Sequence, residues 1–434
     1  LNCSDELGAF SYRDSLKNII ISDSVTVIGK EAFYSCQSLE SITIPNSVTV
    51  IEKSAFYSCD SLKNISIPNS VTVIGESAFK YCKSLESITI PKSVTAIGKE
   101  AFEYCRGLER IIISNGVKII GERAFENCEN LKSITLPNSV TIIERGAFEN
   151  CKSLESITIL NGVTEIEYGA FYDCENLKNI IIPDSVTTIG KSAFYGTAYY
   201  NNTENWDNGI LYIDNCLIEV KEDIKKDIKG VAIKNECKMI AGSAFEGCKS
   251  LESITIPNSV TVIGEEAFKR CKNLKNIIIP ESVTEIGKEA FWDCDSLKNI
   301  TIPNSVTVIG KSACYDCDSL ESIIIPNSVT VIGEEAFSSC KSLESITIPN
   351  SVTEIGEGTF WGCESLKSIT IPESVTAIGN MAFYNTAYYN NTENWDNGIL
   401  YIDNCLISAE SDIKEVTVKN GCRLIAGGAF NGCT

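Results

Sequence analysis

The stretch Leu85-Glu-Ser-Ile88-Thr-Ile90-Pro91-Lys-Ser-Val94-Thr-Ala-Ile97-Gly98-Lys-Glu-Ala101-Phe102-Glu-Tyr-Cys105 decides the fold, because the chain repeats it almost from end to end. Leu-x-x-Ile-x-Ile has the period-two alternation of a half-buried strand, and Pro91 stops that strand by withholding a ladder donor. Val94-Thr-x-Ile97 predicts a second extended stretch on the opposite side. Gly98 is expected to permit a turn, and Ala101-Phe102 to begin a short helical or 3₁₀ return. The phenylalanine slot recurs every 23 residues at Phe33, Phe56, Phe79, Phe102, Phe125, Phe148, Phe171 and Phe194. It resumes at Phe245, Phe268 and Phe291, holds cysteine at Cys314, and continues through Phe337, Phe360 and Phe383 to Phe430. With Phe10 there are 17 slots.

A unit of 23 residues cannot bury its own Leu, Ile, Val and Phe, so each must stack on its neighbours. The expected architecture is an α/β repeat solenoid with one short parallel strand per coil. At about 4.8 Å between adjacent strands, the full set of coils predicts a curved rod of about 80 Å. It reads as one solenoid over 1–434: a first repeat block at 1–196, an enlarged insert coil at 197–244, a second block at 245–385, and a second insert coil with a last partial repeat at 386–434. The partial units at both ends suggest a piece of a longer protein.

The elements Ile-Pro, Val-Thr-x-Ile-Gly and Ala-Phe-x-x-Cys resemble the consensus of the treponemal-type, or BspA-like, leucine-rich-repeat family, over nearly the whole chain. That resemblance implies a right-handed leucine-rich-repeat superhelix and an extracellular or cell-surface location. It also implies an adhesin-like role toward host matrix proteins or other microbes.

Composition narrows the chemistry. Histidine is absent, which removes the commonest general base and metal ligand, and no local carboxylate pair separates an acid from a base. There is no phosphate loop. An enzyme is therefore not expected, nor is a cofactor. The net charge of −20 disfavours nucleic acid and anionic lipid. No run of 18 apolar residues predicts a transmembrane helix.

Fourteen of the 20 cysteines keep the repeat register: Cys36, Cys59, Cys82, Cys105, Cys128, Cys151, Cys174, Cys248, Cys271, Cys294, Cys317, Cys340, Cys363 and Cys433. Side chains stacked in one register have parallel Cβ vectors about one coil apart, which is the wrong geometry for a disulfide, and a ladder offers no tetrahedral closure for zinc. A structural ladder of buried thiols is expected. Cys237 and Cys422 fall in the slot of Val94 and read as core. Cys3, Cys216, Cys314 and Cys405 are less constrained, with a structural role favoured over a redox or metal one.

The register is interrupted twice by the same 22 residues, Thr197–Ile218 and Thr386–Ile407. Ile210–Ile213 and Cys216–Ile218 flank Asp214-Asn215, which predicts a β-hairpin. Tyr199, Tyr200 and Trp206, with Tyr388, Tyr389 and Trp395, are the candidate ligand-binding residues, a stacking platform for a sugar or a peptide. The competing and favoured reading is that Trp206 and Trp395 cover an enlarged coil. The acidic residues of the insert do not reproduce a calcium-loop spacing.

Ser87, Thr89 and their equivalents face outward and are small and polar. The position after each Leu carries charge of one sign or the other, as in Glu40, Lys63, Glu86 and Glu109, so opposite charges on neighbouring coils can pair there, each exposed pair contributing about 0–1 kcal/mol. Trp292 and Trp361, next to the Phe slot, are expected to be exposed. The function expected is a non-catalytic surface or secreted scaffold that binds host or microbial surface proteins. A glycan-binding accessory region of a larger secreted enzyme is the alternative.

Overall fold

The computed structural model describes residues 8–433, so Cys3 lies outside the described residues. The chain divides into two compact units, Leu1–Asp207 and Asn208–Thr434. Each is a parallel-strand solenoid of 23-residue coils.

In the first unit, Asn18–Ile20, Ser41–Thr43, Asn64–Ser66, Ser87–Ile90 and Arg110–Ile113 form one parallel sheet. Its register is one full repeat, with Ile88 opposite Ile111. The Val-Thr-x-Ile segments form a second parallel ladder of eight two-residue strands, from Val27–Ile28 to Thr188–Ile189. The second unit repeats this pattern. Its second ladder runs from Met239–Ile240 to Ala377–Ile378, and its outward strands include Asn276–Ile278, Asn299–Thr301 and Ser322–Ile324.

All 16 phenylalanines of the chain stand in the repeat slot. Thirteen are essentially fully buried, and successive rings lie nearly parallel, as in Phe79 and Phe102 at 5.2 Å between centroids and 2° between planes. Such offset stacks add about 0.5–1.5 kcal/mol per pair beyond burial. In the second unit Cys314 replaces a ring between Phe291 and Phe337. The backbone spacing is held there all the same, with Phe291 N donating to Ala313 O at 2.7 Å and Cys314 N to Ala336 O at 2.8 Å.

The return segment is not the helix expected from Ala-Phe. It is a run of turns with a left-handed residue on either side of each Phe, Glu100 at φ 56° and Tyr104 at φ 60° in the quoted coil. These two residues rotate alternate peptides out of the segment. Glu100 N, Phe102 N and Tyr104 N donate to Glu122 O, Ala124 O and Glu126 O of the next coil at 2.7, 2.8 and 2.8 Å. The intervening amides of Ala101, Glu103 and Cys105 close turns within the coil at 3.1–3.2 Å. A helix would keep all of these donors inside its own segment. The coil accepts about 1–2 kcal/mol of strain at each left-handed residue and gains a third hydrogen-bonded ladder between coils.

Gly98 also acts differently from the expectation. Its φ is not left-handed, but an added Cβ would lie 2.7 Å from the carbonyl carbon of Gly75. The glycine is there for close approach of two coils rather than for a turn. Where glutamate takes the slot, its carboxylate caps the neighbouring coil, as in Lys30 N donating to Glu52 Oε2 at 2.7 Å and Glu122 N to Glu144 Oε2 at 2.7 Å.

The cysteine ladder is buried through Cys363, with Cys433 partly exposed. Through most of the ladder the thiol donates to the carbonyl of a Phe-slot residue one coil back, as in Cys105 Sγ to Phe79 O at 3.1 Å and Cys294 Sγ to Phe268 O at 3.2 Å, whereas Cys433 Sγ donates to Glu410 O at 3.5 Å. Burial pushes the thiols of Cys248 and Cys363 up to about 12, so these two are protonated at neutral pH. Ser70 Oγ and Thr72 Oγ1 donate backward in the same sense, to Val48 O at 2.6 Å and Thr49 O at 3.2 Å.

Charged rows also stack. After the strand Leu, Lys275 pairs with Glu252 at 2.7 Å and Lys298 with Glu321 at 3.2 Å. A second row follows the Gly slot, with Lys99 to Glu122 at 2.8 Å and Lys311 to Glu334 at 2.6 Å. In the first unit the residue after Phe is Lys80, Glu103, Glu126 and Glu149 in four successive coils. Lys80 Nζ sits 2.8 Å from Glu100 and 2.6 Å from Glu103. Glu126 has Arg123 Nε 3.3 Å away, yet burial first, and the charges of Glu103 and Glu149 next, raise its carboxyl to about 7.

Candidate functional site

The two inserts are built alike from their own turn chemistry. Thr197, fully buried, caps the helix Ala198–Asn201 by accepting from Tyr200 N at 3.0 Å, and Asn202 caps the 3₁₀ turn Thr203–Asn205. Asn205 Nδ2 donates to Tyr199 O at 2.8 Å, and Trp206 Nε1 to Tyr200 O at 2.7 Å. Tyr200 and Trp206 meet edge to face at 5.0 Å. In the second insert Thr386, Asn394 and Trp395 repeat these bonds, the Trp395 Nε1 to Tyr389 O distance again being 2.7 Å. Tyr389 and Trp395 meet at 5.1 Å and 86°. Each indole is half-buried and its one donor is used within its own insert.

Both hairpins form as expected. Ile210–Ile213 pairs antiparallel with Cys216–Val220, and Ile399–Ile402 with Cys405–Ala409. Cys216 and Cys405 are buried in these hairpins, and Cys314 in the phenylalanine slot. Tyr388 turns toward the second hairpin, its hydroxyl donating to Tyr401 O at 3.0 Å, and burial raises its phenol. Tyr389 and Trp395 instead line a cavity of about 760 Å³ within the second unit, and Tyr388 is not among its lining residues.

Sequence reasoning passed over the other walls of that cavity. Tyr384, the residue after the Phe slot, lies 5.0 Å from Tyr389 and is 44% exposed. Glu410 and Asp412, beyond the hairpin, stand in its polar lining with Asn380, Ser408, Ser411 and Asn431. The signal available was the point where the two copies of the insert cease to match. There Val220-Lys221-Glu222-Asp223 in one copy becomes Ala409-Glu410-Ser411-Asp412 in the other.

The outward strand face differs from its expected small, polar character. Ser87 and Thr89 are exposed as expected, but five coils carry isoleucine in the Thr89 slot: Ile20, Ile112, Ile181, Ile278 and Ile324. All are exposed, Ile278 to 75% and Ile324 to 81%. In the first unit Asn64, Ser66, Ser87 and Thr89 floor an open depression of about 590 Å³ on this face. Trp361 is exposed at 38%, whereas Trp292 is half-buried against Tyr315 at 5.0 Å, with Lys269 Nζ 4.2 Å from its ring centre. Among the described residues no group of three His, Cys, Asp or Glu is placed to hold a metal ion, and no helix is long and apolar enough to cross a membrane.

A family model described as the BspA-type leucine-rich repeat region matches residues 6–132, 96–217, 223–344 and 330–434. The chain belongs to this family. No curated protein matches it. Among solved structures, a leucine-rich repeat protein from Bacteroides ovatus is 30% identical, covering 88% of this chain and 79% of its own, with a TM-score of 0.39. A leucine-rich cell surface protein from Faecalibacterium prausnitzii is 30% identical over 82% of this chain and 88% of its own, with a TM-score of 0.36. A leucine-rich repeat protein from T. pallidum is 30% identical over 44% of this chain and 89% of its own, with a TM-score of 0.39. The BspA-type assignment covers both units and agrees with their 23-residue coils and parallel ladders.

Proposed function

We propose that this BspA-type chain is a non-catalytic, cell-surface or secreted scaffold that binds surface proteins of a host or of other microbes, in the manner of an adhesin. The observation that carries the reading is the strand face. Its backbone is fixed by parallel ladders, so it costs little ordering entropy to bind, and exposed isoleucines stand on it where the coil has no packing need for them. Thr89 and its equivalents fill the same slot elsewhere without loss of the fold. Rigid β-branched side chains held in one register of the strand face suit many weak contacts with an extended protein surface. Family membership supports the surface location, and the absence of histidine supports a role without catalysis.

The test is a screen of the purified chain on arrays of host matrix proteins and glycans, with Ile278→Ser/Ile324→Ser and Trp206→Ala/Trp395→Ala as paired variants. Protein binding that weakens at least tenfold in the isoleucine variant, and survives in the tryptophan variant, is the expected result. Glycan binding that disappears with the tryptophans would replace this reading with that of a carbohydrate-binding accessory region.

A further inference from the structure

The cavity beside the second insert has a one-sided charge. Glu410 and Asp412 stand on its wall with the carboxamides of Asn380 and Asn431, and neither lysine nor arginine lines it. Among the described residues neither carboxylate belongs to a salt bridge, and the nearby Lys414 is solvent-exposed and outside the lining. The rings of Tyr384, Tyr389 and Trp395 line the same cavity.

The first insert shows how the same local structure is neutralised when the chain does it alone. After an identical 22-residue segment it continues Glu219-Val220-Lys221-Glu222-Asp223-Ile224-Lys225. Lys221 Nζ pairs with Asp223 at 3.3 Å, and Lys225 Nζ pairs with Glu222 at 2.9 Å. Lys225 is only 11% exposed, an internal cation held by the acids around it. The second insert puts Glu410 in the place of Lys221 and keeps the acid at Asp412, so the charge at that point reverses and, among the described residues, no cation in the lining answers it.

We propose that this cavity admits the cationic side chain, lysine or arginine, of a protein partner. The ammonium or guanidinium meets the carboxylates of Glu410 and Asp412, while the alkyl stem and the charge lie against the three rings. The walls are held ready for it. Glu410 N donates to Gly398 O at 2.8 Å, Gly427 N to Ile378 O at 2.7 Å, and Asn431 Nδ2 to Asn380 Oδ1 at 3.2 Å. The proposal rests on reading the chain as a protein-binding scaffold, and it assigns to one site the chemistry of the partner.

The experiment uses the full chain labelled with 5-fluorotryptophan, its Trp395 resonance assigned from Trp395→Phe, and titrated with three probes. These are the acetylated and amidated tripeptide Gly-Lys-Gly, the same peptide with its lysine Nζ acetylated, and a neutral N-acetylglucosamine oligosaccharide. The lysine peptide is expected to shift the Trp395 resonance saturably, more weakly as salt rises, and at least tenfold more weakly in Glu410→Gln/Asp412→Asn. Both substituted residues are exposed, so an unchanged urea midpoint certifies that the variant is folded. An equal shift from the acetylated peptide or from the oligosaccharide, undiminished binding in the charge-removed variant, or no shift with any probe each overturns the proposal. If the isoleucine variant still loses partner proteins on the array while the lysine peptide fails here, the cavity proposal falls and the scaffold reading stands.

Discussion

Glutamate 126 offers a quantitative test of the stacked-coil electrostatics. Its carboxyl, ordinarily at 4.5, is raised to about 7 by burial and by Glu103 and Glu149 in the adjacent coils. The folded chain therefore holds this proton to about pH 7, whereas an unfolded chain releases it near 4.5. Stability from this group is complete below pH 4.5, declines as pH rises between the two values, and is lost above about 7. At about 1.36 kcal/mol per tenfold change in proton affinity, the ceiling on that decline is about 3 kcal/mol. The side chain is 13% exposed, so solvent screening removes only a part of it. Glu126→Gln presents the same shape with no proton to lose. The free energy of the variant relative to the parent should rise by about 2–3 kcal/mol between pH 4.5 and pH 8. The measurement is hydrogen exchange by mass spectrometry on peptides spanning 100–150, together with urea titration at both pH values. A difference between variant and parent that stays within about 0.5 kcal/mol across that range would refute the coupling of these carboxylates.

Three further outcomes follow from the ladders. Phe125→Ala removes a fully buried ring stacked at 5.3 Å on Phe102 and 5.4 Å on Phe148, and urea unfolding should record a loss of about 3–5 kcal/mol. Cys314→Phe places a ring in a slot whose backbone spacing is already that of its neighbours, and should raise the stability of the second unit by about 1–3 kcal/mol, two stacking contacts plus the added burial. A loss instead would mean that the surrounding side chains have closed over the slot. Iodoacetamide should label Cys422 and Cys433 quickly in the native chain. The ladder from Cys36 to Cys363 should react at the rate of unfolding, because those thiols are buried, and peptide mapping of the labelled sites distinguishes the two classes.

The coil itself was legible because its signals are redundant. Ile88 and Ile90 alternate with Ser87 and Thr89, the Phe slot keeps its 23-residue spacing within each block, and a cysteine at fixed spacing has little geometric choice but a ladder. What escaped was the direction of hydrogen bonds. Nothing in Ala101-Phe102-Glu-Tyr distinguishes a 3₁₀ turn from a segment that points alternate amides at the next coil, since that choice is made by the neighbour and not by local propensity. Gly98 was misread for the same reason, as a backbone freedom when it is a steric allowance for Gly75. The isoleucines at 112, 181, 278 and 324 were visible as Ile-Ile-Ile runs, but the middle residue of such a run is exposed only because both flanking ones must face inward. The cavity by Trp395 depends on where the last coil places Glu410 and Asn431, and no periodic signal reports that.

The pairing of backward-donating thiols and hydroxyls with forward-donating return amides makes every interface between coils chemically interchangeable. Cutting out 23 residues anywhere inside a regular block would leave two faces that already fit, donors opposite acceptors and ring against ring, while removing 22 or 24 would misalign all the ladders at once. Length in such a chain is a quantity that recombination between its own repeats can adjust in whole steps. The reach of the binding face is thereby free to change without any new solution to the folding problem.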